Sequence, residues 1–299
     1  MSLDLSDPVL LAALSESYEL EPSQAKHRID VLKNFAISNG DKILELGCGQ
    51  GECTTILAAQ FPESRIDAVD PAPLDYGSPE TLGEAQERIK GYELGKRIIF
   101  HRADPVEFLE RVKNADGIYD VAVLCHCLWY FRSEIEILEV FRAAKSKVRR
   151  LCIAEWSLDA ERADDQPGGK GTAFPHVLAA LTCATCEAHI ENSDRNIRTL
   201  VSPDATKELA SQAGWVVGSE ETLTPSKELE DARWEVDMLF ASSKVDGVNL
   251  FLQRARRMIE DKKIHTLLES MMASVKRSVD AVGGEEHVEC MTVWTATFS

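Results

Sequence analysis

Along residues 8–36 apolar side chains recur at helical spacing (Val9, Leu10, Ala13, Leu14, then Ile29, Leu32 and Phe35). The pattern is interrupted at Glu21-Pro22 and stopped at Asn39-Gly40, which predicts two helices ahead of the first strand. From Lys42 onward, short apolar runs alternate with amphipathic stretches. Lys42–Leu46, Arg65–Val69, Arg97–His101, Asp120–Cys125 and Leu151–Ala154 read as strands, and the stretches opening near Glu52, Ser78, Pro105 and Ser133 read as helices. Continuously apolar strands joined by helical crossovers belong to a parallel sheet covered on both faces, an α/β fold.

Past Trp156 the rhythm breaks. Asp159–Thr172 is polar and glycine-rich, with Gln166-Pro167-Gly168-Gly169-Lys170-Gly171 at its centre, and predicts a loop. Helices are expected over His176–Ile190, Asp204–Ala213, Asp231–Phe240 and Leu250–Val282, and strands over Trp215–Val217 and His287–Phe298. No repeat or low-complexity tract interrupts the chain. The expected organisation is a single domain: a helical lid over 1–37, a cofactor-binding half over 38–158, and a substrate and lid half over 159–299.

Charge changes this picture more than composition does. Against 33 Lys and Arg stand 50 Asp and Glu, a formal charge of −17 spread along the chain. That field repels phosphate backbones, so no nucleic-acid partner is expected. The basic stretches Lys145–Arg150 and Arg254–Lys263 read as solvated helix faces. Met1–Leu20 lacks a secretory pattern and no apolar run approaches bilayer length, so a cytoplasmic location without a membrane partner is expected, with the eight cysteines as reduced thiols. Cys183 and Cys186 have metal-like spacing but no second pair, so no metal is expected. Oligomeric state is not legible.

The candidate chemistry begins at Ile43-Leu44-Glu45-Leu46-Gly47-Cys48-Gly49-Gln50-Gly51, a strand running into alternating glycines and then a helix from Glu52. Such a turn at the carboxyl end of a strand lets a cofactor approach the backbone. The G-x-G-x-G spacing differs from the G-x-G-x-x-G of dinucleotide sites, and Glu52 places negative charge where a pyrophosphate would lie. This disfavours the rival reading of a nicotinamide-dependent oxidoreductase. A second acid, Asp70, ends the next strand nineteen residues after Gly51, where a carboxylate can accept both ribose hydroxyls. A third, Asp104, follows His101-Arg102-Ala103 at the end of the third strand.

Together these segments resemble motif I and its successors in the class I S-adenosylmethionine-dependent methyltransferases. The resemblance covers roughly residues 25 to 158 and implies a Rossmann-like, mostly parallel seven-stranded sheet with an antiparallel final strand and helical lid additions. It implies S-adenosyl-L-methionine as cofactor, with S-adenosyl-L-homocysteine as product. It places Glu45 and Gly47 at the methionine part, Gly49 and Gly51 in the turn with Cys48, Asp70 on the ribose, Pro71 beside the adenine, and Ala103 and Asp104 at the adenine edge. Cys125 would close the cofactor site from the fourth strand.

Methyl transfer would then occur where the fourth strand runs into His126-Cys127-Leu128-Trp129-Tyr130. His126 is the candidate base, against the alternative that its imidazole holds a neighbouring carbonyl. Trp129, Tyr130, Glu155 and Trp156 are candidate acceptor-site walls, since aromatic faces attract cations and a carboxylate binds an amine. Tyr18, with His27 and Arg28, is expected to close over the site, and Phe174, His176, Trp234 and Met238 are further pocket candidates. The implied activity is methylation of an oxygen or nitrogen atom of a small molecule, of the kind found in secondary metabolism. The rival is a protein that binds S-adenosylmethionine without transferring its methyl group.

Overall fold

The computed structural model describes residues 8–113, 118–163, 171–193, 195–245 and 247–299. Most of the glycine-rich stretch expected to be a loop, residues 164–170, lies outside them.

Seven strands form one sheet: β1 (Lys42–Leu46), β2 (Arg65–Asp70), β3 (Ile98–Arg102), β4 (Tyr119–Cys125), β5 (Val148–Trp156), β6 (Val217–Leu223) and β7 (Val293–Phe298). Their order is β3-β2-β1-β4-β5-β7-β6. The first five pair in parallel, and β7 inserts antiparallel between β5 and β6. The order reverses between β1 and β4, so the chains leaving these two strands diverge and open a crevice at their carboxyl ends. β1, β4 and β5 are the most apolar segments because both of their faces lie under helices, and Ile43, Leu44, Val121, Leu124, Leu151 and Ile153 are fully enclosed.

The helices surround this sheet. α1 (Pro8–Tyr18), α2 (Pro22–Leu32), α3 (Glu52–Gln60) and α4 (Leu82–Lys90) include the amino-terminal pair, of which α2 packs on α3. α5 (Pro105–Arg111), α6 (Glu134–Lys145) and α8 (Pro203–Gln212) pack in a row, with Phe141 fully buried. α7 (Phe174–Glu187), α9 (Asp231–Phe240), α10 (Leu250–Met258) and α11 (Lys262–Val282) build a further helical layer in the carboxyl-terminal half. Several starts are written in the sequence as side-chain caps: Glu21 on α2, Thr81 with Glu84 on α4, Ser133 on α6 and Ser202 on α8.

Three elements differ from the sequence expectation. The single helix expected over Leu250–Val282 is two, because Ile259 is extended and Asp261 caps a new helix by accepting from the Lys263 amide. The sixth strand is Val217–Leu223 rather than Trp215–Val217. Its Gly-Ser-Glu-Glu-Thr run has no apolar alternation because it is an exposed edge, and charge there discourages pairing with another sheet. The last strand starts at Val293, not His287, because the amide of Met291 binds His176 and that of Glu289 binds the Thr172 carbonyl, away from the ladder.

Arg162 joins these late segments. Its guanidinium is fully buried, donating to the Cys290 carbonyl at 2.6 Å and the Pro225 carbonyl at 2.8 Å, with Glu289 2.8 Å from its Nε. Without Arg162 the Cys290 and Pro225 carbonyls lose their donor, while Glu289 keeps Lys227 at 3.0 Å. Arg162→Met is therefore expected to lower unfolding free energy by about 2–5 kcal/mol, read as a drop in the urea midpoint.

Candidate functional site

The crevice between β1 and β4 receives the glycine turn. Gly47, Gly49 and Gly51 all have positive φ (77°, 52° and 92°), so the turn Gly47-Cys48-Gly49-Gln50-Gly51 follows a path that L side chains resist. At Gly47 the requirement is also steric: a Cβ there would sit 2.7 Å from the Cβ of Cys127, whose thiol donates to the Leu46 carbonyl at 3.3 Å. At Gly49 nothing stands within 4 Å of that position, so this part of the turn faces open space.

Asp70 ties the turn to β2. One of its oxygens accepts the Gly49 amide and the other the Ala72 amide, both at 2.9 Å, and each oxygen keeps a further lone pair. The amides of Gly47 and Cys48 bind the Val69 carbonyl, and Gln86 donates to the Gly49 carbonyl at 2.9 Å. Pro71 follows, exposed. The Ala103 amide reaches the Asp70 carbonyl at 3.2 Å. Asp104 Oδ1 caps α5, accepting from the amides of Val106 and Glu107. Glu45 lies beneath the turn rather than on its open side. It is 2% exposed and accepts from the Thr54 hydroxyl, and burial pushes its carboxyl up to about 7 against the opposing pull of Thr54, Cys53 and Arg28. Cys125 is buried near Cys53, and its thiol together with burial raises the Cys53 thiol pKa.

At the ends of β4 and β5 the polar groups converge. His126 adopts φ 52°, sparsely populated for a non-glycine residue, and its amide is held by the Ala154 carbonyl at 2.9 Å. The imidazole Nε2 lies 2.9 Å from Nε2 of His27 on α2, and Nδ1 lies 3.4 Å from Glu155 Oε1 without hydrogen-bonding geometry. Trp156 stands among three imidazoles: nearly parallel to His27 at 5.9 Å, tilted against His126 at 4.6 Å, and edge-on to His176 at 5.0 Å. Glu155 accepts from the amides of Leu128 and Trp156, which fixes the turn after β4, and burial pushes its carboxyl up to about 7.

Tyr130 and Trp129 separate. Trp129 is buried, donates through its indole to the Val201 carbonyl, and accepts at its own carbonyl from Arg198 and Thr199. Tyr130 is 46% exposed, yet burial and then the charges of Glu235 and Glu155 raise its phenol pKa. Tyr18 is not brought to this place: its hydroxyl accepts the Leu94 amide and its ring packs on Tyr92.

Arg28, expected from the sequence to close over the site, is nearly buried, with Nη1 unpartnered and Nη2 3.7 Å from Glu52. Gln24, Asp231 and Glu235 had no local sequence signal. Gln24 binds Asp231, and Glu235 lies 3.2 Å from His176 Nε2. Gln24, His27 and Arg28 are spaced i, i+3, i+4, and Asp231 and Glu235 i, i+4, so each set shares a helix face, and polar residues on a buried face were the available clue. Phe174, Trp234 and Met238 are largely exposed. The basic residues flagged earlier are occupied internally: Arg150 with Asp41, Arg149 near Asp120, Arg254 with Glu187 and Arg256 with Glu269. Among the described residues no acid, cysteine and histidine cluster could hold a metal, and no helix is long and apolar enough to cross a membrane. A cavity of about 890 Å³ on the flank of α7, between Arg132, Glu187 and Arg198, contains none of these groups.

Residues 43–150 match the family described as methyltransferase domain. The chain is 26% identical to methyltransferase phomM of Diaporthe leptostromiformis over 291 residues, 85% of this chain and 72% of that one. It is 27% identical to methyltransferase phomM' of the same organism over 241 residues, 69% of this chain and 61% of that one. Among solved structures, a cyclopropane-fatty-acyl-phospholipid synthase-like protein from Lactobacillus casei superposes with TM-score 0.78 at 23% identity, over 99% of both chains, which shows the fold.

The buried ionisable groups make stability depend on pH in two opposed ways. His27 and His126 are pushed well below the usual imidazole range, by burial first and then by neighbouring positive charge. Their contribution is present above pH 6.5 and is lost as pH falls, because the unfolded chain takes up protons that the native imidazoles refuse. Glu45 and Glu155, raised to about 7, act in the opposite direction: their contribution is present below pH 4.5 and is lost as pH rises through 7. His27→Gln removes a contribution that rises with pH, so its stability-against-pH slope between pH 5 and 7 is expected to be more negative than the parent's. Glu155→Gln removes a contribution that falls with pH, so its slope between pH 5 and 6.5 is expected to be more positive than the parent's. Urea midpoints across pH 4.5–8 measure both slopes.

Proposed function

We propose that this chain is a class I S-adenosylmethionine-dependent methyltransferase that methylates an oxygen or nitrogen atom of a small molecule of secondary metabolism. The observation that carries the acceptor reading is a buried polar and aromatic cluster beyond the glycine turn. His27 is 3% exposed, Trp156 5% and His176 0%, and they meet His126 at the carboxyl ends of β4 and β5. A site this enclosed, covered by α2 and keeping unpartnered polar atoms, suits a small molecule rather than a polymer.

The residues fit the cofactor. Its sulfonium supplies an electrophilic methyl group when bound. The open face at Gly49 accommodates a ligand against the backbone, and Asp70 has lone pairs left for the ribose hydroxyls. The unpartnered Nη1 of Arg28, held at the β4 end of the crevice by α2, supplies the cation for the carboxylate of the methionine part. Trp156 and Tyr130 exclude water and present aromatic faces to positive charge. His126 is placed to take a proton from an acceptor that retains one.

Isothermal calorimetry with S-adenosylmethionine, S-adenosylhomocysteine and 5′-methylthioadenosine tests this division of labour. Asp70→Ala is expected to weaken all three. Arg28→Met is expected to weaken S-adenosylhomocysteine about 10–100-fold, roughly 1.4–2.8 kcal/mol, and to leave methylthioadenosine, which has no carboxylate, unchanged. Equal losses for both ligands in Arg28→Met would remove Arg28 from the carboxylate.

A further inference from the structure

Beyond the groups that meet the cofactor, the buried cluster retains polar atoms that nothing in the protein satisfies. His176 is completely buried. Its Nδ1 accepts the Met291 amide, while its Nε2, 3.2 Å from Glu235 Oε2, is outside hydrogen-bonding geometry, so both of these atoms lack a partner. His126 Nδ1, on a side chain 8% exposed, is likewise unpartnered. Buried polar atoms left unpaired are costly, and several converging on one site mark the place of a ligand's own polar groups.

The charges give the sign of that ligand. Glu235 and Asp231 stand one helical turn apart on α9, and Glu155 lies on the opposite wall. Arg28 is the cation whose field reaches Asp231, Glu155 and His126, and its free nitrogen is assigned above to the cofactor. The acceptor side therefore carries an excess of carboxylate beside aromatic faces, which favours a cation and repels a carboxylate or phosphate. A cationic acceptor arriving next to a sulfonium must lose a proton before it has a lone pair to offer. A single proton lies between His27 Nε2 and His126 Nε2, and with His126 donating there its Nδ1, which has no partner, keeps a free lone pair to receive that proton.

We propose that the acceptor is a small primary or secondary amine that binds as an ammonium ion at Glu235 and Asp231 and gives a proton to the His27–His126 pair before it is methylated. This rests on the methyltransferase reading and narrows it. In the first step an N–H bond of the ammonium breaks, its electron pair stays on nitrogen, and the proton adds to an imidazole nitrogen of the pair. In the second, that lone pair forms the N–C bond to the methyl carbon while the C–S bond breaks, with its electrons remaining on sulfur as a neutral thioether. The product leaves as the methylated ammonium and the imidazolium returns its proton to water. Glu155, 3.4 Å from His126 Nδ1, stabilises the transient imidazolium. The groups facing the pair are Lys26 and Arg28 on α2, Glu155 on β5 and His176 on α7. The positive ones keep the resting imidazoles neutral and ready to accept.

The test uses the full chain, tritiated S-adenosylmethionine and a size-matched set of acceptors: benzylamine, N-methylbenzylamine, benzyl alcohol and benzoate. Methyl incorporation into the two amines and not into the alcohol or benzoate is the expected result. Glu235→Gln should raise KM for the amine at least 10-fold with S-adenosylhomocysteine affinity unchanged. His27→Gln should lower kcat at least 10-fold at pH 7 and recover towards the parent at pH 9.5, where the amine enters already deprotonated. The proposal is overturned by incorporation into the alcohol or benzoate matching the amines, by no incorporation into either amine from protein that binds S-adenosylhomocysteine, or by an unchanged KM in Glu235→Gln. Failure of the parent protein to bind S-adenosylhomocysteine would instead overturn the donor-site assignment.

Discussion

Two imidazole nitrogens 2.9 Å apart, on residues separated by ninety-nine positions, hold α2 against the carboxyl end of β4. The rest of the site depends on that closure. With α2 in place Arg28 reaches the crevice and Gln24 reaches Asp231 on α9, so the amino-terminal helix bridges the sheet and the carboxyl-terminal helical layer. The same closure removes water from Trp156 and both histidines, and desolvation is what keeps the rings neutral. His126 is carried on left-handed backbone, a local cost that the surrounding contacts must hold. Packing, charge state and candidate chemistry here are one arrangement.

The candidate donor half could be placed from the sequence because its determinants are contiguous. Glu45, the three glycines and Asp70 lie on two neighbouring strands and the turn leaving one of them, and their spacing is fixed by strand and turn geometry. The fold class followed from strands apolar on both faces, a pattern imposed by burial between helix layers. β6 was misread because an edge strand open to water has no reason to alternate, and its identity comes from pairing with β7. The acceptor half was read only in outline. His126 and Trp156 end strands and could be placed, whereas Asp231 and Glu235 belong to a helix more than seventy residues further on and meet them only after the sheet has closed through β7.

Spacing also left open what each acid is for. By spacing alone Glu45, Asp70 and Asp104 are carboxylates at or near strand ends, and only the resemblance assigned them separate roles. In the folded chain Asp70 braces the turn and keeps oxygen lone pairs free, Asp104 spends one oxygen on the first turn of α5, and Glu45 is enclosed under the loop. The difference is one of direction and solvation, which a one-dimensional pattern does not contain.

Glu45 has a consequence for how the crevice responds to its occupant. A carboxyl poised near 7 is about half protonated in neutral water, and it lies directly beneath the turn. Any cation settling over that turn favours the ionised form and expels the proton, so occupancy and proton release are thermodynamically linked.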